Sequence, residues 1–125
     1  MDLRSFLQKI RDSGEIHDIR RPVDPVRELG AVLNACERAG KAAMFHKVGN
    51  HDMPVVGALL SAPSRIALAL QCPESEVRAR MAAATEKPIK PETQKGKAPC
   101  QEALVEKPDL ARLPVPGLLR PHQAE

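Results

Sequence analysis

Ala42-Ala43-Met44-Phe45-His46, then Gly49-Asn50-His51-Asp52, then Pro54-Val55-Val56-Gly57-Ala58-Leu59-Leu60 is the stretch that decides the fold. Two short apolar runs separated by a Gly/Asn/Asp cluster read as two buried strands joined by a turn. Helical patterns flank them. On the N-terminal side, Asp24 and Pro25 mark a helix start, with Leu29, Val32, Leu33 and Cys36 on one face and Gly40 as the stop. Further out, Glu15-Ile16-His17-Asp18-Ile19-Arg20 is a short strand candidate. Residues 2–13 before it place Leu3, Phe6, Leu7 and Ile10 at helical spacing, capped by Asp2 and stopped at Gly14. On the C-terminal side Pro63 and Pro73 open helices over 63–70 and 73–85, the second with Glu74 and Glu76 in its first turn. The order of elements predicts an α/β fold, with α+β as the variant: a small sheet of short strands packed by helices.

The chain changes character after Thr85. Seven of twelve prolines fall in the last forty residues, and Lys87-Pro88-Ile89-Lys90-Pro91 cannot continue a helix. Residues 1–86 therefore read as an N-terminal α/β domain, and 87–125 as a proline-rich connector and the incomplete start of a next domain. Residues 92–97 are polar, and 100–106 are a further strand candidate. Leu110, Leu113, Val115, Leu118 and Leu119 form an aliphatic tail that needs a surface to cover it. Protease-resistant structure is expected over 2–85 and early cleavage over 86–99.

Composition excludes several functions. With Phe6 and Phe45 the only aromatics and basic residues spread out for a net charge of +3, there is neither a basic stripe nor a stacking platform for nucleic acid. No apolar run approaches the roughly 20 residues of a membrane span, and the first residues do not form a signal peptide, so the cytoplasm is expected. Cys36, Cys72 and Cys100 match neither a disulfide framework nor a zinc pattern.

Local chemistry yields no site. His46, His51 and Asp52 could ligate a metal, but their spacing lacks a third clustered ligand and suits polar residues at a turn; His17 and His122 are isolated. Gly49 and Gly57 form no phosphate-binding loop, and Ser61 and Ser64 lie in no nucleophile elbow, reading instead as capping and polar surface. Glu15 with Asp18, and Glu74 with Glu76, read as charges on solvated faces. No catalytic, cofactor-binding or metal residue is assigned.

Several segments in order nevertheless carry a likeness. Asp2-Leu3-Arg4-Ser5-Phe6-Leu7, Gly14-Glu15-Ile16 and Pro22-Val23-Asp24-Pro25 come first. Ala43-Met44-Phe45-His46-Lys47-Val48, Met53-Pro54-Val55-Val56-Gly57 and Ser64-Arg65-Ile66-Ala67-Leu68-Ala69-Leu70 follow, then Pro88-Ile89-Lys90-Pro91 and Asp109-Leu110-Ala111-Arg112-Leu113-Pro114-Val115-Pro116. Together they resemble the start of the UbiD-type decarboxylases, the family of polyprenyl-hydroxybenzoate and ferulate decarboxylases. The resemblance implies an N-terminal fragment or small subunit of an enzyme several times longer. Such an enzyme uses prenylated FMN, with a divalent metal and potassium, to decarboxylate aromatic or α,β-unsaturated acids. It also implies that the catalytic and metal-binding motifs lie downstream, so that this chain alone holds no cofactor and is inactive by itself. Its implied partner is the remaining cofactor-binding part of the enzyme or a self-associated copy. A stand-alone interaction module derived from that domain is the alternative. The sequence departs from the family pattern at Ala58, at Ala62-Pro63, and after Pro116, where Gly117-Leu118-Leu119 replaces an Asp-Gly-Gly stretch. A truncated piece, a split subunit or a frame-shifted gene would each end this way.

Overall fold

The computed structural model describes residues 1–117. Helix α1 (Leu3–Asp12) starts at Asp2, whose Oδ1 accepts from the Ser5 N–H at 2.8 Å. Its apolar face buries Phe6 and Ile10. Strand β1 (Ile16–Ile19) is followed by a crossover through α2 (Leu29–Arg38) to β2 (Ala42–Phe45), which runs parallel to β1. Strand β3 (Val55–Gly57) pairs antiparallel with β2, giving a three-stranded mixed sheet in the order β1-β2-β3. Helices α3 (Pro63–Leu70) and α4 (Val77–Glu86) complete the α/β layer, and Glu74–Glu76 forms a 3-10 turn between them.

The core sits on both faces of β2. Ala43 and Phe45 join Ile19, Val23, Leu29 and Val48, with Val32, Leu33, Cys36 and Val55 packed around them. Ala42 faces the other way, into Phe6 and Ile10, with Leu7, Ile16, Leu59 and Leu68 alongside. A central strand covered on both faces needs apolar residues throughout, which is why its sequence shows no alternation. Packing is closest at Gly57, where an added Cβ would lie 2.7 Å from Leu33 Cδ1.

Four element boundaries differ from the expected ones, each for a local reason. The strand expected over 54–60 stops at Gly57 because Ala58 turns to φ 55°, outside the extended region. Residues 25–28 form turns before α2, with the Asp24 carboxylate accepting from the Val26 and Arg27 N–H groups at 2.8 Å. The 73–85 helix begins as the 3-10 turn and becomes α-helical only at Val77. The strand expected at 100–106 is absent: Pro99–Gln101 is a 3-10 turn, and among the described residues no strand pairs with the residues after it. Strand propensity alone cannot hold an isolated segment extended without a ladder partner.

Residues 87–113 lie almost wholly in solvent, with Ile89 96% and Leu104 75% exposed. The chain then returns to the domain. Pro114 is buried and the Gly117 N–H donates to Pro25 O at 2.9 Å. The tail needs a covering surface, and Pro114 and Gly117 find one on their own domain. Pro114 and Pro116 enter with φ already restricted, which reduces the entropy lost on docking. The aliphatics Leu110, Leu113 and Val115 stay exposed, while Leu118 and Leu119 lie outside the described residues.

Candidate functional site

The densest polar cluster centres on Arg65, a residue the sequence reading did not single out. Its side chain is 1% exposed on α3, and all five N–H donors are used. Nε donates to Leu59 O, Nη1 to Glu15 Oε2 and Gly40 O, and Nη2 to Ala58 O and Ser61 Oγ, at 2.8–3.2 Å. The guanidinium thus ties the ends of β1, α2 and β3 to α3. A single signal could have revealed it: Arg65 is the one charge in Pro63–Leu70, three residues before Leu68 and so on the same helical face.

This knot corrects two expectations. Glu15 is a half-buried partner of Arg65 and also accepts from Ser64 Oγ at 3.1 Å, so it is no solvated charge. Ser61 and Ser64 do not cap α3, whose N-cap is Ala62; their hydroxyls serve the knot instead.

Asp18 anchors a second network and is likewise no solvated charge. Its carboxylate accepts from Arg11 of α1 at 3.3 Å and lies 2.7 Å from His46 Nε2 at the end of β2. His46 therefore turns to Asp18 and not to His51 and Asp52. His51 closes the turn with its N–H on Val48 O, and His17 is exposed. His122 lies outside the described residues. Glu74 and Glu76 are exposed at the first turn, as expected. Gly49 takes φ 56° against Pro25 and Gly57 packs on Leu33, so both serve the backbone.

The hydrogen bond from Arg11, and after it that from His46, hold the Asp18 carboxyl below its ordinary value of 3.8. A depressed folded-state value makes the ionised group stabilising above 3.8, and that contribution disappears as pH falls through the lowered value. The urea midpoint of the wild type should therefore exceed that of Asp18→Asn at neutral pH, with the gap closing on acidification below 3.8. A gap that widens on acidification would contradict this account.

An open trough of about 530 Å3 runs between β1 and α2, floored by Ile19, Val32, Ala35 and Cys36 and rimmed by Arg20, Arg21 and Lys41. Among the described residues no three His, Cys, Asp or Glu side chains converge as a metal site. Every buried side-chain nitrogen or oxygen among them already has a hydrogen-bond partner. Cys36 packs against the core, Cys72 is half-buried and Cys100 is exposed, all as free thiols.

Fold and site together define a small α/β domain whose polar groups hold its own elements together. The chain belongs to the 3-octaprenyl-4-hydroxybenzoate carboxy-lyase N-terminal domain family, which its residues 7–85 match. Among solved structures it is similar to the UbiD-class enzyme HmfF from Pelotomaculum thermopropionicum in complex with FMN. That likeness has 29% identity and a TM-score of 0.77 over 91% of this chain and 26% of that one. An evolved dimeric form of the same enzyme with prFMN matches at 28% identity, TM-score 0.73, over 91% and 27%. The apo 3,4-dihydroxybenzoic acid decarboxylase from Enterobacter cloacae matches at 25%, TM-score 0.59, over 72% and 21%. The chain spans about a quarter of the length of the first two relatives.

A prenylated FMN with its metal would need a phosphate cradle and a convergent set of oxygen or nitrogen ligands. The groups present do not fit it. Glu15 is committed to Arg65, Asp18 to Arg11 and His46, and among the described residues no third acidic or imidazole group joins either set. No helix among the described residues is long and apolar enough to cross a membrane.

Proposed function

We propose that residues 1–86 are the N-terminal domain of a prenylated-FMN-dependent decarboxylase acting on aromatic or α,β-unsaturated acids. In this reading 87–125 are the connector and the start of the cofactor-binding region, the location is cytoplasmic, and this chain performs no chemistry by itself. The observation that most supports it is the likeness of 91% of the chain to one part of a flavin-bound UbiD-class enzyme. The domain's share is to help enclose a site built elsewhere, and the rest of the enzyme is its partner.

Incubation of the purified chain with prenylated FMN should leave no flavin absorbance after gel filtration and release no CO2 from unsaturated acids. A flavin band at one per chain would overturn the non-catalytic assignment. Limited proteolysis should cut first within 86–99, where all but Ala98 are exposed, and spare 29–70. Early cuts inside 29–70 would contradict the domain boundary.

A second reading, a stand-alone interaction module, draws on the exposed Ile89, Leu104 and Val105. The gene sequence after codon 125 separates the two, since a reading frame carrying the cofactor-binding region favours the enzyme.

A further inference from the structure

Strand β1 has one neighbour, and its other edge is open among the described residues. The carbonyls of Glu15 and Ile19 accept from the Ala42 and His46 N–H groups, which sets the alternation along the strand. Glu15, His17 and Ile19 turn their main-chain groups toward β2, while Ile16, Asp18 and Arg20 turn theirs outward. Beside this edge lies the trough with its apolar floor and its cations Arg20, Arg21 and Lys41. Arg21 pairs with exposed Glu28, whereas Arg20 has no carboxylate within ion-pair distance among the described residues.

The same chain carries a segment of matching chemistry. Gln101-Glu102-Ala103-Leu104-Val105-Glu106 places Leu104 and the β-branched, strand-favouring Val105 between two glutamates. In its own copy it is unpaired and exposed, with Leu104 at 75% and Val105 at 72%. In an extended strand Glu102, Leu104 and Glu106 share one face, and the glutamates stand about 13 Å apart. The edge from Ile16, beside Lys41, to Arg20 also covers four residue steps, again about 13 Å. Leu104 then meets the apolar floor while the glutamates reach the cations at either end.

We propose that residues 101–106 of one copy add as a strand to the open β1 edge of a second copy, and that the exchange is reciprocal. Edge addition supplies main-chain hydrogen bonds, and the trough supplies selectivity for alternate side chains. Reciprocal exchange closes a two-fold dimer. Pairing β1 with β1 is disfavoured, because the edge is only four residues long and carries the charge of Asp18, the short, charged kind that resists self-pairing. The proposal rests on this chain's own surfaces and is tested on this chain by itself; the decarboxylase reading gives the same segment to the start of the cofactor-binding region.

The test is sedimentation velocity on the full chain across a concentration series. A dimer fraction that rises with concentration is expected. Glu102→Lys with Glu106→Lys should weaken association at least tenfold, and so should Arg20→Glu with Arg21→Glu. Mixing these two doubly substituted proteins restores opposite charges at the Arg20 end of both exchanges, while one introduced lysine still faces Lys41, so the dimer should recover in part. All four positions are exposed, and circular dichroism checks that each variant is folded. A wild type that stays monomeric overturns the proposal, as does association indifferent to charge reversal or not rescued by mixing. A monomer with protected Asp18 and Leu104 amides also overturns it, because the segment would then occupy its own edge.

Discussion

Arg65→Ala should destabilise the domain by on the order of 2–4 kcal/mol, less than breaking a fully buried ion pair because Glu15 keeps 30% exposure. The loss still exceeds that of one partly exposed pair because the five bonds reach three separate segments of chain, at Glu15, at Gly40 and at 58–61. With the guanidinium gone, the half-buried Ala58 and Leu59 carbonyls lose this donor, at about 1–3 kcal/mol for each that water cannot reach, while exposed Gly40 can turn to water. Single domains are stable by only about 5–15 kcal/mol, so this variant should sit near the edge of folding. Arg65→Lys should recover little. An ammonium offers three donors from one point and cannot reproduce a planar fork reaching both sides. Urea unfolding of the three proteins measures this. A loss below about 1 kcal/mol for Ala, or wild-type stability for Lys, would show that water satisfies these groups just as well.

Phe45→Ala is the second large effect, on the order of 3–5 kcal/mol for a fully buried ring. Phe45 has 0% exposure and sits between Ile19, Leu29 and Val48 on the face covered by α2. The domain has one other aromatic, Phe6, and that ring belongs to the opposite face of the sheet. The neighbours of Phe45 are branched aliphatics fixed by strand and helix backbones, so the cavity cannot collapse without shifting an element. Phe45→Leu should restore most of the loss, since a smaller void remains. Chemical denaturation with an unchanged slope checks the pair. Equal losses for Ala and Leu would point to a specific aromatic contact in place of volume.

The sheet and its helices were legible because local signals agreed with one another. Asp2 and Asp24 each accept backbone N–H groups at the turn they were expected to open. The apolar run at 42–46 read correctly as a buried strand because both of its faces are covered. The knot was not legible, because its members are 50 residues apart in sequence and each alone resembles a surface charge. Glu15 and Arg65 acquire their meaning only once β1 and α3 are adjacent. The segment 100–106 misled for the opposite reason. Only Val105 strongly favours a strand, since Gln101, Glu102, Ala103 and Leu104 are good helix formers, and within this copy the described residues offer it no ladder.

The same separation has a kinetic consequence. Closing Glu15 to Arg65 needs the chain between them already looped, and β1, α2, β2 and β3 all lie in that interval. Contacts of such long range form late, after the entropy of loop closure has been spent on other pairings. A bond absent from the transition state leaves the folding rate nearly unchanged when it is removed and appears in the unfolding rate. Arg65 is thus a brake on opening, and what it lengthens is the lifetime of the folded domain against a protease that acts faster than the domain can reclose.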